Sequence, residues 1–274
     1  MRKGFRKAFS GGGTVRGLYM AFIFLFLYAP VVVLVVFSFN AAKSRSVWGG
    51  FTLEWYQKLF TNTEILSSLR VTLIVALLSS IVATLVATVT CIGLDGLGKR
   101  RRAFVMNLTY VPIVNPDLVT GISLMLLFVF MQFQLGFVTL LLAHIAFNIP
   151  YAILSILPKM RQLDRNLYEA ALDLGAKPTQ AMVRVILPEI MPGVVTALIL
   201  TFTLSIDDFV ISYFTSGAGV SNLAITIYSM ARKSVNPQIN ALSALMFVVV
   251  LALLLIVNFR SNREMRKPKE EKSR

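Results

Sequence analysis

The sequence predicts an all-α integral membrane protein with six membrane-spanning helices. Three observations lead there: an apolar composition, long uncharged runs and a lopsided placement of bases. Of 274 residues, 56% are hydrophobic and 15% charged, and the mean hydropathy is +0.73, outside the range of ordinary soluble domains. A spanning helix needs about 20 predominantly apolar residues, and such runs lie near 18–39, 71–94, 104–131, 137–157, 193–214 and 241–259. An even number of spans puts both termini on one side. That side carries Arg2, Lys3, Arg6, Lys7, Arg16, the run Lys99 to Arg102, Lys159, Arg161, Arg165, Lys177, Arg184 and the bases from Arg260 to Arg274, together 21 of the 27 Lys and Arg. Bases gather on the cytoplasmic side of spanning proteins, so both termini are expected in the cytoplasm. The net charge of +14 then reads as orientation on an anionic leaflet, with membrane lipid and not nucleic acid as the partner.

Taken in order, residues 1–17 are a cytoplasmic N-terminal segment loosened by Ser10 to Gly13. Residues 18–259 form one transmembrane domain, and 260–274 a charged cytoplasmic tail. The first span exceeds the apolar core of a cleavable signal peptide and no small-residue cleavage site follows, so it is expected to remain a helix. Outside the membrane, Trp48, Trp55 and Tyr56 suit the interface, and residues 53–60 are expected to form a short interfacial helix. The second span has a face of small residues: Ala76, Ser79, Ser80, Ala83, Thr84, Ala87, Thr88 and Cys91. Such a face lets another helix approach closely, so this span is expected inside the bundle or at a subunit interface.

Gly93 to Lys99 resembles the start of a phosphate-binding loop. Arg100 stands where a Ser or Thr hydroxyl is needed, and a membrane helix precedes it where a strand is required. A tight turn is expected, without bound nucleotide. Asn115-Pro116 interrupts the third span and leaves the Pro112 carbonyl without its usual partner. His144, the single histidine, has no nearby Cys, Asp or Glu in sequence to complete a metal site, so helix packing is preferred to ligation. With no Ser/His/Asp set legible either, the chain is expected to catalyse nothing and to hold no cofactor.

Between spans four and five lies the longest cytoplasmic loop, at about 163–192. Asp164 is a good N-cap, Arg165 and Glu169 can pair at i,i+4, and Gly175 can end the helix. Pro178 can open a second short helix running to Leu187 and stopping at Pro188. Leu167, Ala171 and Leu174 recur at helical spacing on a loop that faces water, which points to docking of a protein partner.

Glu169-Ala170-Ala171, three residues, Gly175, nine residues and Val185-Ile186-Leu187-Pro188 resemble the EAA loop of ABC importer permeases. Val185 stands where Ile is usual, and Lys177 where a capping Ser is common before the proline. The runs Pro112 to Asp117, Ala143 to Phe147 and Ser205 to Phe209 look like those of spermidine/putrescine permeases, most closely the second of the two paired membrane subunits. The resemblance implies the type I ABC importer permease fold in a bacterial plasma (inner) membrane. It implies a second permease subunit, two copies of a cytoplasmic ATPase that bind ATP and Mg, and an extracytoplasmic substrate-binding protein. It assigns ATPase coupling to Glu169, Ala170, Ala171, Asp173, Gly175, Leu187 and Pro188.

Asp117, Asp207 and Asp208 are the acids inside the expected spans, and no Lys or Arg accompanies them there. Each costs about 2.5–3.5 kcal/mol near the centre of a span, so each is a functional candidate. A polycation path accounts for them, with Tyr110 and Ser205 also on that path. A packing kink with a protonated aspartate is the alternative. Thr201, Ser205, Asp208, Ser212 and Thr215 recur at helical spacing, so Asp208 is expected to face the path and Asp207 to support it. A secondary transporter would leave the hairpin at 169–188 without a task, and a membrane enzyme would need a clustered catalytic set. Importers of sulfate, thiamine or iron share the loop, but an anion path would be expected to carry bases.

Overall fold

A computed structural model describes residues 12–43, 47–164, 166–233, 237–249 and 251–252. The helices are α1 Gly12–Phe37, α2 Glu54–Thr61, α3 Thr63–Asp95, α4 Lys99–Val114, α5 Asp117–Phe130, α6 Phe137–Gln162, α7 Asn166–Asp173, α8 Pro178–Ala181, α9 Leu187–Asp207, α10 Val210–Thr215 and α11 Leu223–Lys233, followed by α12 Gln238–Val249. The chain divides into two compact units, one of residues 1–63 and 229–274, the other of residues 64–228.

In the first unit, α1 is apolar on every side, with most of its leucines, phenylalanines and valines exposed, as suits a helix surrounded by lipid or by another subunit. Asn40 organises the chain that follows. Its side chain donates to the Val47 carbonyl at 2.8 Å and accepts from the Gly49 N–H at 2.7 Å, while its own carbonyl accepts from the Trp55 indole at 2.7 Å. The indole is thereby buried, and α2 forms where the interfacial helix is expected.

In the second unit, every member of the small-residue face of α3, from Ala76 to Cys91, is buried, so this face does meet other helices. Cys91, Leu94, Ile153, Ile156, Ile190 and Ala197 share one apolar cluster, which joins α3 to α6 and α9. Phe128, Ala143, Phe147 and Ile211 make a second, joining α5, α6 and α10. Gly96 to Gly98 form the expected tight turn between α3 and α4.

Four helices among the described residues are long and apolar enough to cross a membrane: Arg16–Phe37, Thr63–Asp95, Phe137–Gln162 and Pro178–Asp207. The third expected span is the pair α4 and α5, bent by 107°. Pro116 has no N–H and forces the residue before it out of the helical region, so Asn115 is extended and α5 restarts at Asp117. α12 begins the last expected span; most of what remains of 241–259, with the tail 260–274, lies outside the described residues.

Two expected boundaries are corrected. The second hairpin helix does not stop at Pro188. It runs without interruption from Pro178 to Asp207 through a π turn at Met182–Ile186. There the Leu187 N–H reaches back to the Met182 carbonyl, and this wider turn makes room for a proline whose ring would otherwise strike the carbonyl four residues earlier. The fifth span, expected as one helix over 193–214, ends at Asp207. Asp208 is extended, and a short separate helix, α10, follows.

Candidate functional site

The hairpin after α6 is built from local capping signals. Asp164 Oδ1 accepts from the Asn166 N–H at 3.0 Å and starts α7. Arg165 lies outside the described residues, and its expected pairing with Glu169 with it. At the far end the Gly175 N–H bonds the Leu172 carbonyl at 2.9 Å and the Ala176 N–H bonds the Ala171 carbonyl at 3.0 Å. This is the Schellman arrangement, which needs a left-handed residue between them, and Gly175 has φ 84. Pro178 opens α8, as expected, and the Gln180 side chain accepts from the Lys177 N–H at 3.1 Å, while the first-turn N–H groups receive no side-chain cap from Lys177.

The hairpin has two faces. Ala171, Ala181 and Ile186 are buried beneath it, while Glu169, Ala170, Asp173, Leu174 and Gly175 are exposed. Leu187 is half-buried and Pro188 exposed. Leu174 is 88% exposed, the greatest exposure of any large apolar side chain on this loop. Of the apolar stripe expected to face water, Leu167 and Leu174 do so and Ala171 turns inward. Beneath the hairpin a cleft of about 520 Å³ runs to the α3–α4 turn, with Asp95, Arg102, Asp164 and Glu169 among its walls.

The membrane acids fall into different settings. Asp117 is exposed in the first turn of α5, where a helix N-terminus favours a negative charge. Tyr110 is 44% exposed on α4. Asp207 is exposed as the last residue of α9, where the carbonyl end of the helix favours a cation. Gly121 packs against Ile211 and Phe214, and Asp117 lies one turn before it on the same face of α5. The starts of α5 and α10 are thus close neighbours.

Asp208 is differently employed. Its side chain is 7% exposed. The carboxylate caps α10, with Oδ2 accepting from the Ser212 N–H and hydroxyl, both at 2.8 Å, and Oδ1 from the Ile211 N–H at 3.3 Å. Asn222 Nδ2 donates to Ser212 Oγ at 2.7 Å, and His144 Nε2 lies 2.9 Å from the same oxygen and 3.6 Å from Asp208 Oδ2. Ser212 has one hydroxyl hydrogen. With it on Asp208, His144 Nε2 must donate, which fixes the proton on that nitrogen.

The helical-wheel reading of Asp208 is therefore corrected. The helix breaks between the two acids, the polar stripe of Thr201, Ser205, Ser212 and Thr215 is buried in the bundle, and Asp207 is the more exposed acid. Ser205 likewise turns inward, receiving a hydrogen bond from Asn148 Nδ2 at 2.7 Å and lying 3.1 Å from Ser79 Oγ. Sequence reasoning missed both polar clusters because it sought partners for the aspartates among Lys and Arg. The available signal was His144 and Asn148, four residues apart on one face of α6. His144 packs as expected, but as part of the acid's own network. Among the described residues no group of three His, Cys, Asp or Glu could hold a metal ion.

Comparison with known proteins places this geometry. Residues 92–267 match the family model of the binding-protein-dependent transport system inner membrane component. The chain is 36% identical over 244 residues to the spermidine/putrescine transport system permease protein PotC of Escherichia coli strain K12, covering 89% of this chain and 92% of that protein. It is 38% identical over 244 residues to the putrescine transport system permease protein PotI of the same strain, covering 86% and 85%. Among solved structures, a chain of a bacterial ABC transporter that imports the acidic polysaccharide alginate superposes with a TM-score of 0.70 at 16% identity, covering 94% of this chain and 98% of that one. A chain of an amino acid ABC transporter superposes with a TM-score of 0.58 at 18% identity, covering 78% and 100%. At these identities the structures speak for the fold alone.

Proposed function

Because the chain belongs to the family of binding-protein-dependent transport system inner membrane components, we propose that it is the membrane-spanning permease of an ATP-driven importer of polyamines, spermidine and putrescine. Relatives of both specificities support the substrate class. The structural observation that carries it is the pair of exposed acids, Asp117 and Asp207, with no base in the apolar stretches 104–131 and 193–214 that hold them. The chain pairs with a second, non-identical permease and receives substrate from an extracytoplasmic binding protein. Two copies of a cytoplasmic ATPase, holding ATP and Mg, complete the importer, and one of them docks on the exposed face of this hairpin through Glu169 and Leu174. Closure of the ATPases moves the hairpin, and access to the acids alternates between the two sides. Asp207 and Asp117 meet the ammonium groups, Tyr110 lines their approach, and Asp208 holds the break that presents Asp207.

Vesicles containing this chain and its co-purified partners should take up labelled spermidine and putrescine with ATP inside, each competing with the other and neither with sulfate. Uptake of another solute without polyamine uptake overturns the substrate assignment.

The topology follows from the distribution of bases: six spans, both termini cytoplasmic, in the bacterial inner membrane. Single-cysteine labelling should find positions 100, 177 and 267 accessible from the cytoplasm and 43 and 232 from outside. Labelling of position 177 from outside would reverse the orientation and remove the hairpin from the ATPase.

A further inference from the structure

α5 and α6 are joined by residues 131–136 alone, so they run antiparallel, and their register follows from what they share. Gly121 of α5 packs against Ile211, and Ile211 lies in one apolar cluster with Phe147 of α6. One turn toward the start of α5 from Gly121 is Asp117, and one turn further along α6 from Phe147 is Tyr151. In an antiparallel pair these two steps go the same way, so Asp117 and Tyr151 come to one level of the bundle. The Asp117 carboxylate is accordingly the charged group that acts on the Tyr151 hydroxyl.

Tyr151 is half-buried. Its ring packs against the cluster of Phe128, Ala143, Phe147 and Ile211 and is braced by Phe147, with centroids 5.0 Å apart and planes tilted by 55°. A ring braced in this way presents its free surface without further ordering. The hydroxyl, by contrast, is not employed: among the described residues no group bonds it. His144 and Asn148 lie on the same face of α6, and both bond serines inside the bundle, Ser212 and Ser205. A tyrosine hydroxyl drawn into a bundle ordinarily finds such a partner too.

A carboxylate and an unbonded phenol at one level, with no Lys or Arg in the stretches 104–131, 137–157 and 193–214, suit an alkylammonium group. The carboxylate supplies charge and the phenol oxygen accepts one N–H bond. The ring face adds cation–π attraction and a surface for the adjoining methylenes. We propose that Tyr151 contacts the substrate and completes, with Asp117, a subsite for one ammonium of the polyamine. The subsite rests on the polyamine reading and adds to it an uncharged residue of α6.

The test uses the whole importer reconstituted in vesicles. Tyr151→Phe keeps the ring and its packing and removes only the oxygen, so it should raise KM for spermidine about tenfold with the maximal rate retained. Tyr151→Leu, which also gives up the ring face, should raise it further. In an Asp117→Asn background the effect of Tyr151→Phe should shrink, because the two groups hold one ammonium. Independently of transport, Tyr151→Cys in the purified importer should react with a small thiol reagent, and spermidine should slow that reaction; the native Cys91 is buried and does not interfere. An unchanged KM in Tyr151→Phe overturns the subsite, since a packing role alone would leave it so. A Tyr151→Cys that fails to react, or whose labelling spermidine leaves untouched, overturns it equally. If the unaltered importer takes up no polyamine, the substrate reading falls instead, so the two failures are told apart by the unaltered protein.

Discussion

Asp207→Asn is expected to lower polyamine uptake about 100-fold at matched membrane levels, and Asp208→Asn only several-fold. Removing one partner of a desolvated charge pair costs about 2–5 kcal/mol, and about 2.7 kcal/mol corresponds to 100-fold. Asp207 is exposed at the carbonyl end of α9, where helix and side chain both favour a cation. Asp208 spends its carboxylate on the Ser212 and Ile211 N–H groups. Asn caps a helix about as well as Asp, so the amide keeps most of that work. Asp208→Ala cannot cap and leaves the Ser212 hydroxyl without its acceptor, so it should lose assembly as well as transport. Asp117→Asn should fall between, at about tenfold. The measurement is initial uptake of labelled spermidine, with partner co-purification as the assembly control. Normal transport by Asp207→Asn together with failure of Asp208→Asn would reassign the substrate contact.

Gly175→Val and Glu169→Lys should each reach the membrane yet transport less than about a tenth as well as the unaltered protein. A side chain at Gly175 meets nothing within 4 Å, so its cost lies entirely in the left-handed backbone at φ 84, which is about 1–2 kcal/mol for an ordinary residue and more for a β-branched one. The Schellman turn opens, and the hairpin loses its angle without damage to the bundle. Glu169 is exposed at the wall of the cleft beneath the hairpin, so inverting its charge changes the docking face while the apolar core beneath stays in place. Gly175→Ala should be milder than Gly175→Val. The check is ATPase retained on purification together with ATP-driven uptake; both normal in both variants would exclude the hairpin as the docking element.

These features differ in how openly the sequence displays them. Gly175, Pro178 and Asp164 act within a few residues of themselves, so their capping roles are legible without knowing what surrounds them. The buried face of α3 is legible because small residues recur at helical spacing. The break between Asp207 and Asp208 is not, since neither a glycine nor a proline marks it. It is held by Ser212, Asn222 and a histidine 68 residues away from Ser212, and only the packing of α6 against α10 brings that group in. Pro188 misleads for a related reason. A proline ends a helix when the preceding turn is tight, and the π turn at Met182–Ile186 shows only in the backbone.

The helix that runs from Pro178 to Asp207 makes one further demand, on length. The hairpin sits at its foot and the exposed acid at its tip, the two ends of 30 continuous helical residues. Losing or gaining a single residue along it would turn Asp207 by about 100° relative to the hairpin and shift it by about 1.5 Å. The acid would then point at a neighbouring helix or at lipid. Seven residues would restore the bearing to within about 20° but displace the tip by about 10 Å, a third of the hydrocarbon thickness. Neither change leaves both ends where they are. In this segment substitutions can accumulate freely on the outer face, while the number of residues is held as firmly as any side chain.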